Sequence, residues 1–143
     1  MKTWNQIKST LSFTNEGNIT TGYFAQMTKY IKNGYTPISI CGKAPGFYEA
    51  EGFLQYKKLA PKYEFFIEWK KGNIDNDGYI VRYLNQVLRV LNPKEVYKEL
   101  FELSNHNKIV LLCYEKPFDF CHRHIVADWL SFYMGIDILE MYY

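Results

Sequence analysis

No stretch of this 143-residue sequence has the roughly 20 predominantly apolar residues that a bilayer-spanning helix needs. The first residues, MKTWNQIKSTLSF, lack the apolar core of a secretory signal. Cysteine is scarce. Three residues, an odd number in unlike contexts, argue against a disulfide framework. Cys41 and Cys113 close apolar runs, as buried free thiols do, so a reducing, cytoplasmic setting is expected. Charge of one sign is lacking too: 17 basic against 15 acidic residues leave a formal +2, and any nucleic-acid footprint would have to come from local clustering. No internal repeat or low-complexity tract divides the chain. One domain over residues 1–143 is expected, opening with an irregular or hairpin-like segment at 1–18 that ends in the polar cluster TNEGN.

What the sequence does have is aromatic bulk, 18% of residues, enough for both a dense core and the walls of a pocket. TTGYFAQ and TPISICG read as short strands, with one or two helical turns between them closed by Gly34. From Glu49 to Gly72 the chain is aromatic and lysine-rich and broken at Pro61. A short helix is expected there, then a second segment over Lys62 to Lys71. YIVRYLNQVLRVL places Ile80, Tyr83, Leu84, Val87, Leu88 and Leu91 on one helical stripe. NPKE then signals a new helix, with Asn92 as cap, Pro93 first and Glu95 three residues past the cap. A buried strand (Lys108 to Cys113), a loop, a helix from about Cys121 to Met134, the punctuating Gly135 and a last strand in IDILEMYY complete the order. Strand–helix–strand units make parallel sheets, so the fold class is a three-layer α/β domain with a mainly parallel sheet.

The segment CYEKPFDFCHRH, residues 113–124, breaks a local rule. A helix start carries partial positive charge and favours acids, yet here Cys121, His122, Arg123 and His124 fill it, with Asp119 the expected cap. A rule broken without local compensation marks a functional site. A bound phosphate-type or carboxylate-type anion, held by free N–H groups and the Arg123 guanidinium, would supply the compensation. The loop also leaves the carboxyl end of a parallel strand, where ligands of open α/β sheets bind. Glu115 on that rim is the candidate acid/base. Cys121 at the helix start is the candidate thiolate. Cys113, His122 and Arg123 join it as ligand-binding candidates, with Gly42 and Lys43 from the loop CGKAPGF, in which Gly46 would also admit a ligand closely. Phe47, Tyr48 and Trp69 are candidates for stacking on a planar ligand. Plainer readings stand beside these: Cys113 as core, Arg123 paired with Glu115 or Asp119, and His124 as an ordinary helix residue. No metal site is expected, because the spacing lacks short-loop knuckles and His122 and His124 point to different sides of the helix. The sequence leaves any cofactor unidentified.

Taken together, LLCYEKP, then CHR opening a helix, then HIVADWL (Leu111 to Leu130) resemble the family of bacterial and phage proteins called domain of unknown function 488. A looser likeness runs through ISICGKAPGF, KLAPKYEFFIEWKKG and YIVRYLNQVLRVLNPKEVYKEL, covering most of residues 20–140; the first 18 residues match no pattern of it. The resemblance implies a Rossmann-like α/β domain with its site at Cys113, Glu115, Cys121, His122 and Arg123, and supplies no reaction. Three functions are therefore carried forward. One is an enzyme acting on a nucleotide, nucleoside or nucleic-acid base, with a small anionic ligand. Another is a cysteine-nucleophile enzyme, loosely like rhodaneses and cysteine phosphatases. The third is a non-catalytic nucleotide or nucleic-acid binding module, using Lys57, Lys58, Lys62, Lys70 and Lys71 interleaved with Tyr56, Tyr63, Phe65, Phe66 and Trp69.

Overall fold

The computed structural model describes residues 2–43 and 52–142. Its apolar and β-branched runs form six strands: β1 (Phe13–Thr14), β2 (Ile19–Tyr23), β3 (Thr36–Ser39), β4 (Leu54–Gln55), β5 (Ile109–Cys113) and β6 (Leu139–Met141). They lie in one sheet in the order β1-β6-β2-β5-β3-β4, and every pairing is parallel. The helices are α1 (Trp4–Ser9), α2 (Met27–Lys32), α3 (Tyr63–Lys70), α4 (Asn76–Gln86), α5 (Pro93–Leu103) and α6 (His122–Met134). This is the Rossmann-like α/β fold expected from the sequence.

Strand β5 shows why the layers form. All five of its residues are buried, as in a central parallel strand. Ile109 and Leu111 face a large core shared with α1, α3, α4, α5 and α6, while Val110 and Leu112 face a smaller one closed by Met27 and Tyr30 of α2. The two outer layers are therefore unequal. On the thin side Tyr30 lies so close over β2 that a Cβ on Gly22 would stand 2.6 Å from its hydroxyl oxygen, which accepts a hydrogen bond from the Tyr23 N–H. Only glycine allows that approach.

The capping signal at NPKE operates as read: the Asn92 side chain accepts from the N–H groups of Lys94 and Glu95, and Pro93 opens α5. The stripe on α4 buries Ile80, Tyr83, Val87 and Leu88, although the helix itself ends at Gln86 and a 3-10 turn, Leu88–Val90, carries the remainder.

Two segments differ from expectation. Residues 2–18, expected as part of an irregular or hairpin-like start, instead carry a helix and an edge strand. Thr3 and Gln6 form a reciprocal capping box that starts α1, and Phe13–Thr14 adds a parallel edge strand beside β6. The Trp4 N–H donates to Asp77 at 2.8 Å, and the Trp4 ring meets Phe120 edge-on at 5.2 Å, so tertiary contacts hold a helix too short to persist alone. The stretch expected to begin with a short helix instead gives the two-residue strand β4 and a 3-10 turn, Lys57–Leu59, before α3. Two residues carry no readable alternation.

Candidate functional site

Parallel pairing brings the carboxyl ends of β3 and β5 side by side. The Ile40 N–H donates to Leu112 O at 3.1 Å, one step past the end of β3, and this sets Cys41 next to Cys113. Their sulfurs are 3.4 Å apart. The loop after β5 then turns back, with Asp119 N–H donating to Lys116 O, and returns Cys121 to the same point as α6 begins. All three thiols are free and buried. They form the floor of a cavity of about 600 Å³ whose walls include Phe66, Trp69, Tyr79 and Phe120, with Lys43 and Lys70 among its polar lining.

The walls are rigid because the rings brace one another. Phe120 stands 5.4 Å from Trp69 and 5.0 Å from Tyr79, and Trp69 stands 5.5 Å from Tyr79. The Trp69 indole N–H is tied to Asn76 at 2.8 Å. Offset and edge-on pairs of this kind fix a pocket shape before any ligand arrives.

The sequence-level puzzle at α6 resolves residue by residue. Cys121, not Asp119, is the N-cap, and its side chain caps nothing. Asp119 lies two residues too early and is exposed. A thiol is a poor substitute for the oxygen-bearing caps, so this position contributes little to helix stability. His122 points to the floor of the cavity. Its Nε2 lies 2.7 Å from the Ile40 carbonyl, and only a nitrogen bearing hydrogen can bond there, which leaves Nδ1 toward the thiols, 3.6 Å from Cys113 Sγ. Arg123 is not a free anion receptor. It is wholly buried and forms a two-pronged bond with Glu140, Nε to Oε1 at 3.1 Å and Nη2 to Oε2 at 2.8 Å. Neither Glu115 nor Asp119 is its partner. His124 faces away from this cavity, its ring 5.8 Å from that of Trp4.

These contacts set the protonation states. Burial opposes ionisation of Cys121, but the Cys113 thiol, the Arg123 charge and His122 together hold it well below the usual thiol range. His122 is raised: burial works against its charge, and Cys121 overcomes that. Thiolate and imidazolium thus support one another. Cys113, fully buried beside two other sulfurs, is pushed well above the usual range, first by burial. Glu115 is also raised, by burial and then by the Cys121 charge, with Lys70 4.0 Å away opposing the shift. Its carboxyl lies 3.8 Å from Cys113 Sγ.

The structure therefore brings together Cys113, Glu115, Cys121, His122, Gly42 and Lys43 around one cavity and sets Arg123 behind it. Gly42 has open space at its Cβ position, and its carbonyl accepts from Lys57. Gly46, Phe47 and Tyr48 lie outside the described residues. The lysine–aromatic run splits: Tyr56 and Phe65 are core, whereas Tyr63, Phe66 and Trp69 line the cavity. Lys58 pairs with Glu99, and Lys70 lies over the Phe66 and Trp69 rings. Sequence reasoning missed Cys41 as a member of the thiol cluster and Glu140 as the partner of Arg123. A thiol ending a second parallel strand, and a lone acid inside an apolar strand, were the available signals.

An all-parallel sheet with a thiol-rich, aromatic-walled pocket at its carboxyl edge defines a Rossmann-like α/β protein. The chain belongs to the domain of unknown function 488 family: a family model described as the active DUF488-N3 subclade (DUF488-N3a) matches residues 46–133. No curated protein and no solved structure matches it.

Proposed function

We propose that this chain is a cysteine-dependent enzyme in which the Cys121 thiolate attacks an electrophilic centre of a small substrate and Glu115 manages the proton. One observation carries the reading: the Cys121 sulfur lies at the opening of a 13-residue helix, on the floor of the cavity, within 4.8 Å of both Cys113 Sγ and the His122 ring nitrogen. The His124 amide is already given to the Cys121 carbonyl at 3.2 Å, so it is the His122 and Arg123 amides opening α6 that favour negative charge on the sulfur and on an oxygen of the substrate.

The step balances without a further reagent. Cys121 Sγ forms a bond to the electrophile, the bond to the leaving group breaks, and the leaving group takes the Glu115 proton. Water then attacks the covalent intermediate, Glu115 accepts its proton, and the thiolate is released. The raised carboxyl suits the acid half of this cycle.

The cavity lining supports one class of substrate. A flat ring fits between Trp69, Phe66 and Tyr63, and an anionic end meets Lys43 and Lys70. A nucleotide, or a nucleoside carrying an anionic group, satisfies both conditions, with the lysines taking the part that the sequence had given to Arg123.

Neutral-pH labelling with iodoacetamide, read by peptide mass spectrometry, tests the nucleophile. Cys121 should be modified first and faster than free cysteine, and a thermal-shift screen of nucleotides should find a ligand whose stabilisation is lost in Lys43→Ala/Lys70→Ala. Labelling of Cys121 no faster than that of Cys41 and Cys113 would sink the proposal.

A further inference from the structure

We infer that Cys113, Cys121 and His122 form a binding site for a zinc ion, with the cavity supplying the open fourth position. The inference needs only geometry and does not depend on the nucleophile reading above. Among the described residues these three side chains bring two sulfurs and a ring nitrogen within 4.8 Å of one another, all buried. With zinc–sulfur bonds of about 2.3 Å and zinc–nitrogen bonds of about 2.0–2.1 Å, a tetrahedral site has a sulfur–nitrogen edge of about 3.6 Å and a sulfur–sulfur edge of about 3.8 Å. Cys113 Sγ and His122 Nδ1 already stand 3.6 Å apart.

The histidine is held as a metal-bound histidine is held. Its Nε2–H is donated to the Ile40 carbonyl at 2.7 Å, which fixes the ring orientation and directs Nδ1 to the sulfurs, where a metal would displace the proton that Nδ1 carries in the imidazolium. That anchor comes from a different strand end, so it is set by the sheet and not by the helix. Two thiolates and one imidazole with an open position form a donor set that zinc uses where it binds or activates a ligand. Cys113, Cys121 and His122 all line the same cavity, and so does Glu115, which places a carboxylate on the approach to the fourth position. Cys41 touches Cys113 but lies outside the three-ligand set. Metal and substrate electrophile would compete for Cys121, so loading with zinc would silence the nucleophile.

The test uses the full chain, reduced and stripped with chelator, then titrated with zinc against a chromophoric competitor and separately with cobalt. One equivalent should bind, and the cobalt form should show thiolate-to-metal charge transfer with the visible bands of a tetrahedral ion. Cys113→Ser, Cys121→Ser and His122→Ala should each weaken zinc by at least about tenfold, and each by more than Cys41→Ser does. Because a variant of the floor can misfold, the cobalt spectrum of the unaltered chain decides first. Binding below one equivalent, or a cobalt spectrum without sulfur ligation, overturns the inference. So does affinity unchanged in His122→Ala. Iodoacetamide labelling separates the two readings: slow labelling of Cys121 in the stripped protein removes the nucleophile alone, and labelling unaffected by bound zinc removes the metal site alone.

Discussion

Arg123 Nη2 lies 2.8 Å from Glu140 Oε2, and neither side chain has any exposed surface. Thr21 Oγ1 donates to the same carboxylate at 2.5 Å, so β2, β6 and α6 meet at one buried ion pair. The cation that seemed misplaced at a helix start is therefore balanced from within, by an acid 17 residues further along the chain. Its field still reaches the site, for the guanidinium charge favours both the Cys121 thiolate and, through it, the His122 imidazolium.

A first prediction concerns this pair. Glu140→Ala or Arg123→Ala leaves a buried charge alone and should cost about 3–5 kcal/mol in urea unfolding. Arg123→Met with Glu140→Leu should cost much less than the two single losses summed. Single variants as stable as the parent chain would show that the pairing is not maintained in solution.

Glu115 and Cys121 repel when both are ionised, and each raises the other's proton affinity. Replacing Glu115 with Gln should therefore move the pH profile of Cys121 alkylation downward, by a few tenths to about one unit. An upward or absent shift in the labelling profile would contradict that coupling.

His124 provides an acid-stability test. Burial, and then the Arg123 charge, lower its pKa from 6.5 to about 4. The unfolded chain thus takes up the proton first as pH falls, so the stabilisation is present above 6.5 and lost as pH drops through about 4. The loss should approach about 3 kcal/mol, and His124→Phe, which keeps a ring against Trp4, should flatten the dependence. Unfolding midpoints measured between pH 4 and 7 read this directly.

Gly22→Ala should be disproportionately harmful for one methyl group. Its Cβ would meet three atoms of the Tyr30 side chain, the hydroxyl oxygen and two ring carbons, at 2.6–2.7 Å. A loss of about 1–3 kcal/mol is expected in thermal or urea unfolding, relieved in part by Tyr30→Leu.

Much of this fold was legible because long periodic segments dominate it. The α4 stripe, the capped start of α5 and the continuous apolar run of β5 each carry their own signal. What escaped reading was short or non-local. Strands β1 and β4 have two residues each, and α1 is held by Trp4 against Phe120 and Asp77. At the site, the motif residues converge as a group, but the role given to Arg123 was misread. Whether a guanidinium faces a ligand or an internal acid depends on where β6 lands, and spacing within the motif carries no information about that. The same holds for metal-ligating spacing: Cys113 and Cys121 meet through a folded-back loop, without the short-knuckle pattern that local reading looks for.

The Ile40 carbonyl that orients His122, and the Glu140 carboxylate that neutralises Arg123, both fall outside residues 46–133. A chain trimmed to the span the family shares would keep every signature side chain and lose the two groups that aim and balance them. The setting of the motif is thus on loan from its flanks, and how each relative fills those two flanking positions should set how its own cysteines behave.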